Sequence, residues 1–360
     1  MITIGVDFHK KTSHYHVLDA AGQKLKSAKL ENTHDNIRNF IQGLQGPKQL
    51  AMEATRNWGL FYDTVDDIVD EFHLGHPKKM KAITESETKN DPKDAETIAR
   101  LLQSHFLPKA YVSSLNTRQL RSLLRFRHFL ATQRASLRHQ VHILIDRNLW
   151  PQECPQNFKS LFCQRGRQWL KTLGLPERER FILNQCLENF DQLNAKIQDL
   201  ESFIQQQTLD LPGLKHLRTV PGFMLSKINA FIVLLEMDDV HRFAKARRFA
   251  HYAGLIPRER SSADKHHTGR LVKGANLFLR TAFIESTLAA IRMDKGLKQY
   301  YKSVKANAGS SAAIVACARK LAYAVYFVLK EQRAYRPASF NPPAAVYPPS
   351  AVQHIIQCAG

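Results

Sequence analysis

MITIGVDFHKKTSHYHVLDAAGQKLKSAKL, residues 1–30, is the stretch from which the fold of the N-terminal region is read. Ile2–Val6 is a short apolar run and predicts a buried strand that ends at Asp7. His9, Lys10 and Lys11 make a basic turn, and His14–Leu18 predicts a second strand. Ala20-Ala21-Gly22-Gln23 is a turn, after which Lys24–Leu30 reads as a third strand. Working outward, Ile37, Phe40, Ile41 and Leu44 recur at helical spacing within Asn32–Leu44. Gln49–Ala54 is a short strand carrying Glu53, and an amphipathic helix is expected from Asn57 to Phe72. Hairpin-linked strands followed by alternating helix and strand predict an α/β domain with a mixed sheet.

The next informative stretch is TKNDPKDAETIARLL, residues 88–102. Pro92 suits the first position of a helix, which makes Asp91 the expected N-cap and sets Asp94 in the first turn, where a carboxylate meets the helix dipole. Two readings stand at this point: acids that start a helix, or carboxylates on one face that offer oxygen ligands to a hard divalent ion. Asp7 and Glu53 each end an apolar strand, as solvated acids at a sheet edge or as partners of the first two. Four acids delivered by two strands and a helix start would make the oxygen-rich cluster that two-metal phosphoryl transfer requires.

Composition narrows the partners. The chain of 360 residues is 44% hydrophobic and 23% charged, values of an ordinary globular protein of two or three domains. Its net charge of +20 calls for a polyanion, nucleic acid or an anionic membrane surface. No uninterrupted apolar run is long enough to span a bilayer and MITIGVDFHKK has no leader layout, so nucleic acid is the expected partner and a membrane is not. Cysteines 154, 163, 186, 317 and 358 are scattered and form no CxxC pair, which argues against disulfide staples and zinc sites and fits a reducing cytoplasm, at the nucleoid.

Asn116–Leu149 predicts one long basic helix, closed by Trp150-Pro151, and 151–180 reads as irregular. A second long helix carries Leu183, Cys186, Phe190, Leu193, Ile197, Leu200 and Ile204 in a strict heptad seam. That seam either closes an intramolecular hairpin or joins subunits, and the second is the expectation carried forward. Residues 213–360 hold 23 Lys and Arg against 8 Asp and Glu, so +15 of the +20 lies there. Within them Leu217–Phe223, with Pro221-Gly222 and a following apolar helix, resembles a helix–hairpin–helix whose turn meets a phosphate. Arg242, Lys245, Arg247 and Arg248 are read along one short helix. A polar loop follows, Arg258 to Arg270, in which Ser261 and Ser262 stand among Arg258, Arg260, His266, His267 and Arg270, with Lys273 just beyond. A Ser-Ser pair is ordinary turn chemistry, but these surroundings also suit a phosphate held for attack by a hydroxyl. Asn276–Ile291 and Ser310–Leu329 predict apolar helices, and 337–360 a flexible tail.

IGVDFHK, AMEAT and KNDPKDAETIARLL, with TVPGF, FAHYAGLIPRERSS, GRLVKGANLFLRTAF and ARKLAYAVYFVLK farther on, resemble the DEDD transposases of the insertion-sequence 110 type, which include the pilin-gene invertases. The resemblance implies a RuvC-like domain of ribonuclease-H fold over 1–112, a coiled-coil region over 113–210 and a C-terminal transposase domain over 211–336. It implies Asp7, Glu53, Asp91 and Asp94 as ligands of Mg²⁺, with Mn²⁺ as the alternative, and Ser262 as the nucleophile, with Ser261 the second choice because Ser262-Ala263 stands where the family has Ser-Gly. It further implies donor and target DNA, a structured guide (bridge) RNA, and a homo-oligomer, dimer or tetramer. The site of attack would be composed within one chain or across subunits. Lys10, Lys11, Pro221, Gly222, Arg247, Arg248, Arg258, Arg260, Arg270 and Lys273 are the expected nucleic-acid contacts. Two competing readings are a metal-only junction nuclease and a non-enzymatic nucleic-acid-binding protein. A sugar-kinase or actin-like ATPase is rejected, because Phe8, His9, Lys10 and Lys11 follow Asp7 where small phosphate-cradling residues are needed.

Overall fold

A computed structural model describes residues 1–83, 91–150, 153, 160–262, 265–271 and 274–337; the side chains of Asp91, 258–262 and 265–271 lie outside that description. Of the tail expected over 337–360, residues 338–360 are outside it too, as is Lys273. The chain divides into two compact units, Met1–Asn116 and Thr117–Gly360.

In the first unit the order is β1 (Ile2–Phe8), β2 (Thr12–Leu18), β3 (Lys24–Glu31), α1 (His34–Gln42), β4 (Lys48–Glu53), α2 (Trp58–Val65), β5 (Glu71–Gly75), α3 (Pro77–Lys81), α4 (Asp91–Gln103) and β6 (Lys109–Ala110). The six strands form one sheet in the order β3-β2-β1-β4-β5-β6. β1 runs antiparallel to β2 and parallel to β4, and β4 runs parallel to β5. This mixed sheet with flanking helices is compatible with the ribonuclease-H-like domain that the resemblance implies.

Strand alternation divides the core in two. Ile4, Val6, Phe8, Leu50 and Met52 pack with Ile37, Ile41 and Phe61 of α1 and α2. On the opposite face Ala51 packs with Ile98 and Leu102 of α4 and with Met80. Thr33 caps α1 by accepting from Asn36 N at 3.2 Å. The helix expected over Asn57–Phe72 is corrected: α2 stops at Val65 and Glu71–Gly75 is strand β5. Its two inward residues, Phe72 and Leu74, are too few to display period 2 in the sequence.

The second unit continues with α5 (Leu115–Asn148), α6 (Gln164–Thr172), α7 (Glu177–Gln207), α8 (Leu214–Leu217), α9 (Lys227–Met237), a 3-10 turn at Val240–Arg242, α10 (Ala246–Tyr252), hairpin strands β7 (Pro257–Ser262) and β8 (Lys265–Leu271), α11 (Leu277–Met293) and α12 (Lys295–Lys330). Three expectations are corrected here. The region 151–180 contains helix α6, capped by Cys163. Arg242 and Lys245 precede α10 instead of lying along it. The loop expected at Arg258–Arg270 is largely a two-stranded antiparallel ribbon. Within the chain the heptad seam of α7 packs along α5. Leu183 packs with Val141, Leu144 and Ile145 near the end of α5, and Ile204 with Leu120 and Leu124 near its start. Arg127 binds Glu201 (Nε–Oε1 2.8 Å) and Arg134 binds Asn194 (2.8 Å) in the same antiparallel register. The helix that covers this one-faced apolar seam within the chain is α5.

α12 is long and apolar enough to cross a membrane by length and composition, but 67% of its apolar window is buried inside the fold. Leu321, Val325 and Val328 belong to the main core of the unit, so it is a core helix. It is broken at Gly309 (φ 81°). Cys163, Cys186 and Cys317 are free thiols. Burial pushes the Cys317 thiol up to about 12.

A buried carboxylate ties the long helix to this core. Glu236, 2% exposed at the end of α9, accepts from Arg125 Nη2 at 2.9 Å and Asn276 Nδ2 at 2.7 Å. Arg121 lies 3.9 Å from the same carboxylate and donates to Leu235 O at 2.7 Å. Removing one partner of such a pair leaves a buried charge uncompensated. Glu236→Ala is therefore expected to destabilise the protein by about 3–5 kcal/mol in urea unfolding, well beyond the cost of an exposed ion pair.

Candidate active site

The β1–β4 register runs from Ile2 opposite Lys48 to Val6 opposite Met52. The next residues along the two strands are Asp7 and Glu53, and neighbouring strands lie about 4.8 Å apart. Alternation puts both on the face opposite Val6 and Met52, which is the face that carries α4. Asp7 is well covered, with 13% of its side chain exposed, and Glu53 is half-buried.

Helix α4 lies very close to β1. A Cβ on Gly5 would stand 2.1 Å from Ala95 O and 2.5 Å from Ala99 N, so only glycine admits the helix at this depth. The helix also has a determined direction. Gln103 Nε2 donates to Asp19 O at 3.0 Å, just past β2, and β2 pairs its end, Leu18, with Thr3 at the start of β1. The opening turn of α4 therefore lies toward the far end of β1, where Asp7 and Glu53 are. Asp91 is one turn before Ala95, about 6 Å along the axis, and Asp7 is two residues past Gly5, about 7 Å along the strand. All four predicted acids thus come from elements that meet at one end of the sheet. The positive end of the α4 dipole faces that end as well, which favours negative charge there.

Asp94 is exposed. Among the described residues no group of three or more His, Cys, Asp or Glu side chains is gathered to hold a metal. The donor chemistry of Asp7 and Glu53, two carboxylates next in register on one face, fits a hard divalent ion. One neighbour was not singled out by sequence reading. His9, taken as part of a basic turn, places Nε2 3.0 Å from Asp7 Oδ2. Lys10 and Lys11 of the same turn are exposed beside it.

In the second unit, Ser262 ends β7 opposite Lys265, and Arg260 pairs with His267. Residues two apart share a ribbon face, so Ser262, Arg260, Lys265 and His267 occupy register positions on one face. Ser261 occupies the other, with Glu259, His266 and Thr268. Arg258 and Arg270 lie within the strands. Arg247 and Arg248 are exposed on α10. Gly222 of the Pro-Gly turn is buried at φ 90°, and a Cβ there would stand 2.1 Å from Ser286 O. Packing against α11 accounts for that glycine, while Pro221 is half-buried.

Two transposase family models match the chain: one of the DEDD, IS110 type over residues 4–148, and one described as the IS116/IS110/IS902 family over residues 214–302. Asp7, Glu53, Asp91 and Asp94 lie in the first matched stretch and Ser262 in the second. A probable family 20 transposase of Pseudomonas aeruginosa is 24% identical over 93% of this chain and 98% of its own length. The transposase of insertion sequence element IS1111A of Coxiella burnetii is 23% identical over 80% of this chain and 79% of its own. A 43.6 kDa protein of insertion element IS110 from Streptomyces coelicolor is 23% identical over 93% of this chain and 95% of its own.

Two substitutions test the architecture. Gly5→Ala must push α4 off β1, and overpacking of that kind costs about 1–3 kcal/mol or more. It is expected to lower the melting temperature and to cut activity more than its stability loss explains, because α4 carries Asp91 and Asp94. His16, opposite Gly5 and 4% exposed, has its pKa lowered chiefly by burial, against the pull of Glu96. The folded state then favours neutral imidazole, while the unfolded chain takes up a proton below about pH 6.5. Stability is full above that value and falls as pH drops toward the folded pKa. His16→Gln is expected to flatten this part of a melting-temperature profile taken from pH 7 to 5.

Proposed function

The chain belongs to the IS110 family of DEDD transposases, and from that premise we propose that it cuts and rejoins the DNA strands of a mobile element with the carboxylates of Asp7, Glu53, Asp91 and Asp94 and the hydroxyl of Ser262. It is a DNA transposase. The observation that carries the site assignment is the β1–β4 register, with Asp7 and Glu53 next in line at the strand ends toward which α4 opens. Carboxylates brought close together repel one another unless a cation shares the site. Mg²⁺, or Mn²⁺, held by the four acids would supply Lewis-acid polarisation of the scissile phosphate.

The serine step forms a bond between Ser262 Oγ and phosphorus and breaks a phosphorus–oxygen bond of the DNA, whose oxygen leaves as a hydroxyl. A serine hydroxyl is scarcely ionised at neutral pH, so its proton must be taken by a base. The ribbon register supports Ser262 over Ser261: its face carries Arg260, Lys265 and His267, two cations to hold a phosphate and an imidazole as proton acceptor. Arg258, Arg270 and Lys273 would hold flanking phosphates. Rejoining reverses the step, with a DNA hydroxyl attacking the phosphoserine linkage. Choice of DNA sequence is assigned to a structured guide RNA. Holding two DNA partners together is assigned to a symmetric homo-oligomer, dimer or tetramer.

The test is strand cleavage, with a covalent protein–DNA adduct read on a denaturing gel, and sequencing of the RNA that co-purifies. Asp7→Asn and Glu53→Gln are expected to lower cutting by at least about 10²–10³-fold, the scale for loss of one group from a preorganised site, with nucleic-acid binding kept. Ser262→Ala is expected to lose the adduct and all recombination. Recombination by Ser262→Ala would overturn the assignment, and loss of the adduct in Ser261→Ala alone would move it to the neighbouring residue.

A further inference from the structure

The first half of α12, before the break at Gly309, presents one face to the core and carries a row of four lysines on another. Leu297, Tyr300, Val304 and Ala308 are buried in the main core of the unit. Lys295, Lys298, Lys302 and Lys305 are all exposed. At 100° per residue those lysines fall within an arc of about 80°, and at 1.5 Å per residue they form a straight row about 15 Å long. Residues 295–308 include no acid. Asp294, just before them, is turned inward: it caps the helix through Leu297 N at 2.7 Å and accepts from the Tyr335 hydroxyl at 2.8 Å. None of the ion pairs among the described residues uses any of these lysines. Like charges three and four residues apart destabilise a helix, a cost that Lys305 Nζ, 5.9 Å from the centre of the Tyr301 ring, offsets only in part.

We infer that this row is a docking surface for the phosphate backbone of duplex DNA, read without regard to sequence. Charge complementarity identifies the occupant: a duplex carries one negative charge per about 1.7 Å of its axis and is stiff enough to lie along a straight helix. Lysine is a point charge on a flexible stem, which meets a phosphate without the fixed fork geometry of arginine. The row lacks the exposed aromatic side chains on which single strands stack, and the large apolar ones that would enter a lipid surface. The inference rests on the transposase reading and adds a place where the DNA beside the cut is held.

The experiment measures binding of the full-length protein to a fluorescent random-sequence duplex as a function of salt. The variant Lys295→Gln/Lys298→Gln/Lys302→Gln/Lys305→Gln is expected to reduce the slope of log K against log salt by about 2–4 and to weaken binding at physiological salt by about tenfold or more. The matching Lys→Arg variant keeps the charge and is expected to bind as the wild type does, which separates charge from folding. Asp7→Asn, run in parallel, is expected to lose cutting with the slope unchanged. An unchanged slope in the Lys→Gln variant overturns the inference and leaves the transposase reading standing, whereas failure of the wild type to cut any DNA would overturn that reading instead. Loss of binding to a structured RNA or to phosphatidylserine vesicles, with duplex binding kept, also overturns it and reassigns the row to that partner.

Discussion

Everything at the acidic end of the first unit depends on how deeply α4 sits on β1. Gly5 has no side chain, and Ala95 and Ala99 offer almost none, so helix and strand meet backbone to backbone. That contact sets the height of the helix above the sheet, and the Gln103–Asp19 bond at its other end sets its direction. The opening turn then points to the strand ends that carry Asp7 and Glu53. Mutual repulsion among acids cannot assemble such a site; a packed backbone can, because its energy comes from apolar contacts such as Ile98 and Leu102 on Ala51.

In the second unit, part of the positive charge is structural. Arg121, Arg125, Arg127 and Arg134 of the long basic helix are committed to Glu236, Glu201 and Asn194, and Arg125 also covers the Phe278 ring at 5.2 Å. These cations hold α5 on α7 and α9. Lys10, Lys11, Arg247, Arg248 and the four lysines in the first half of α12 are exposed. A surplus of +20 therefore overstates the charge open to a polyanion, and its distribution matters more than its total.

Legibility followed the length and period of each signal. β1, β2 and β3 were readable because apolar residues end abruptly at turns, and α5 and α7 because their spacing persists over many turns. β5 was not, since five residues after a helix extend a helical pattern by chance. The ribbon at Pro257–Leu271 was read as a loop because charged and small polar residues such as Arg258, Arg260, Ser261 and Ser262 have low strand propensity. The first half of α12 passed unnoticed because its four buried positions are diluted by lysines.

By itself the sequence determined the α/β character of the first unit, the helical character of the second, the acids at element ends and the cationic balance. These are properties of local period and residue chemistry, which the chain carries before it folds. Tertiary structure alone decided which helix covers the α7 seam, which face of the ribbon holds Ser262, and where α4 delivers Asp91 and Asp94. Each is a choice among partners distant in the chain. Periodicity states that a face must be covered or a strand paired, and only packing between remote segments determines by what.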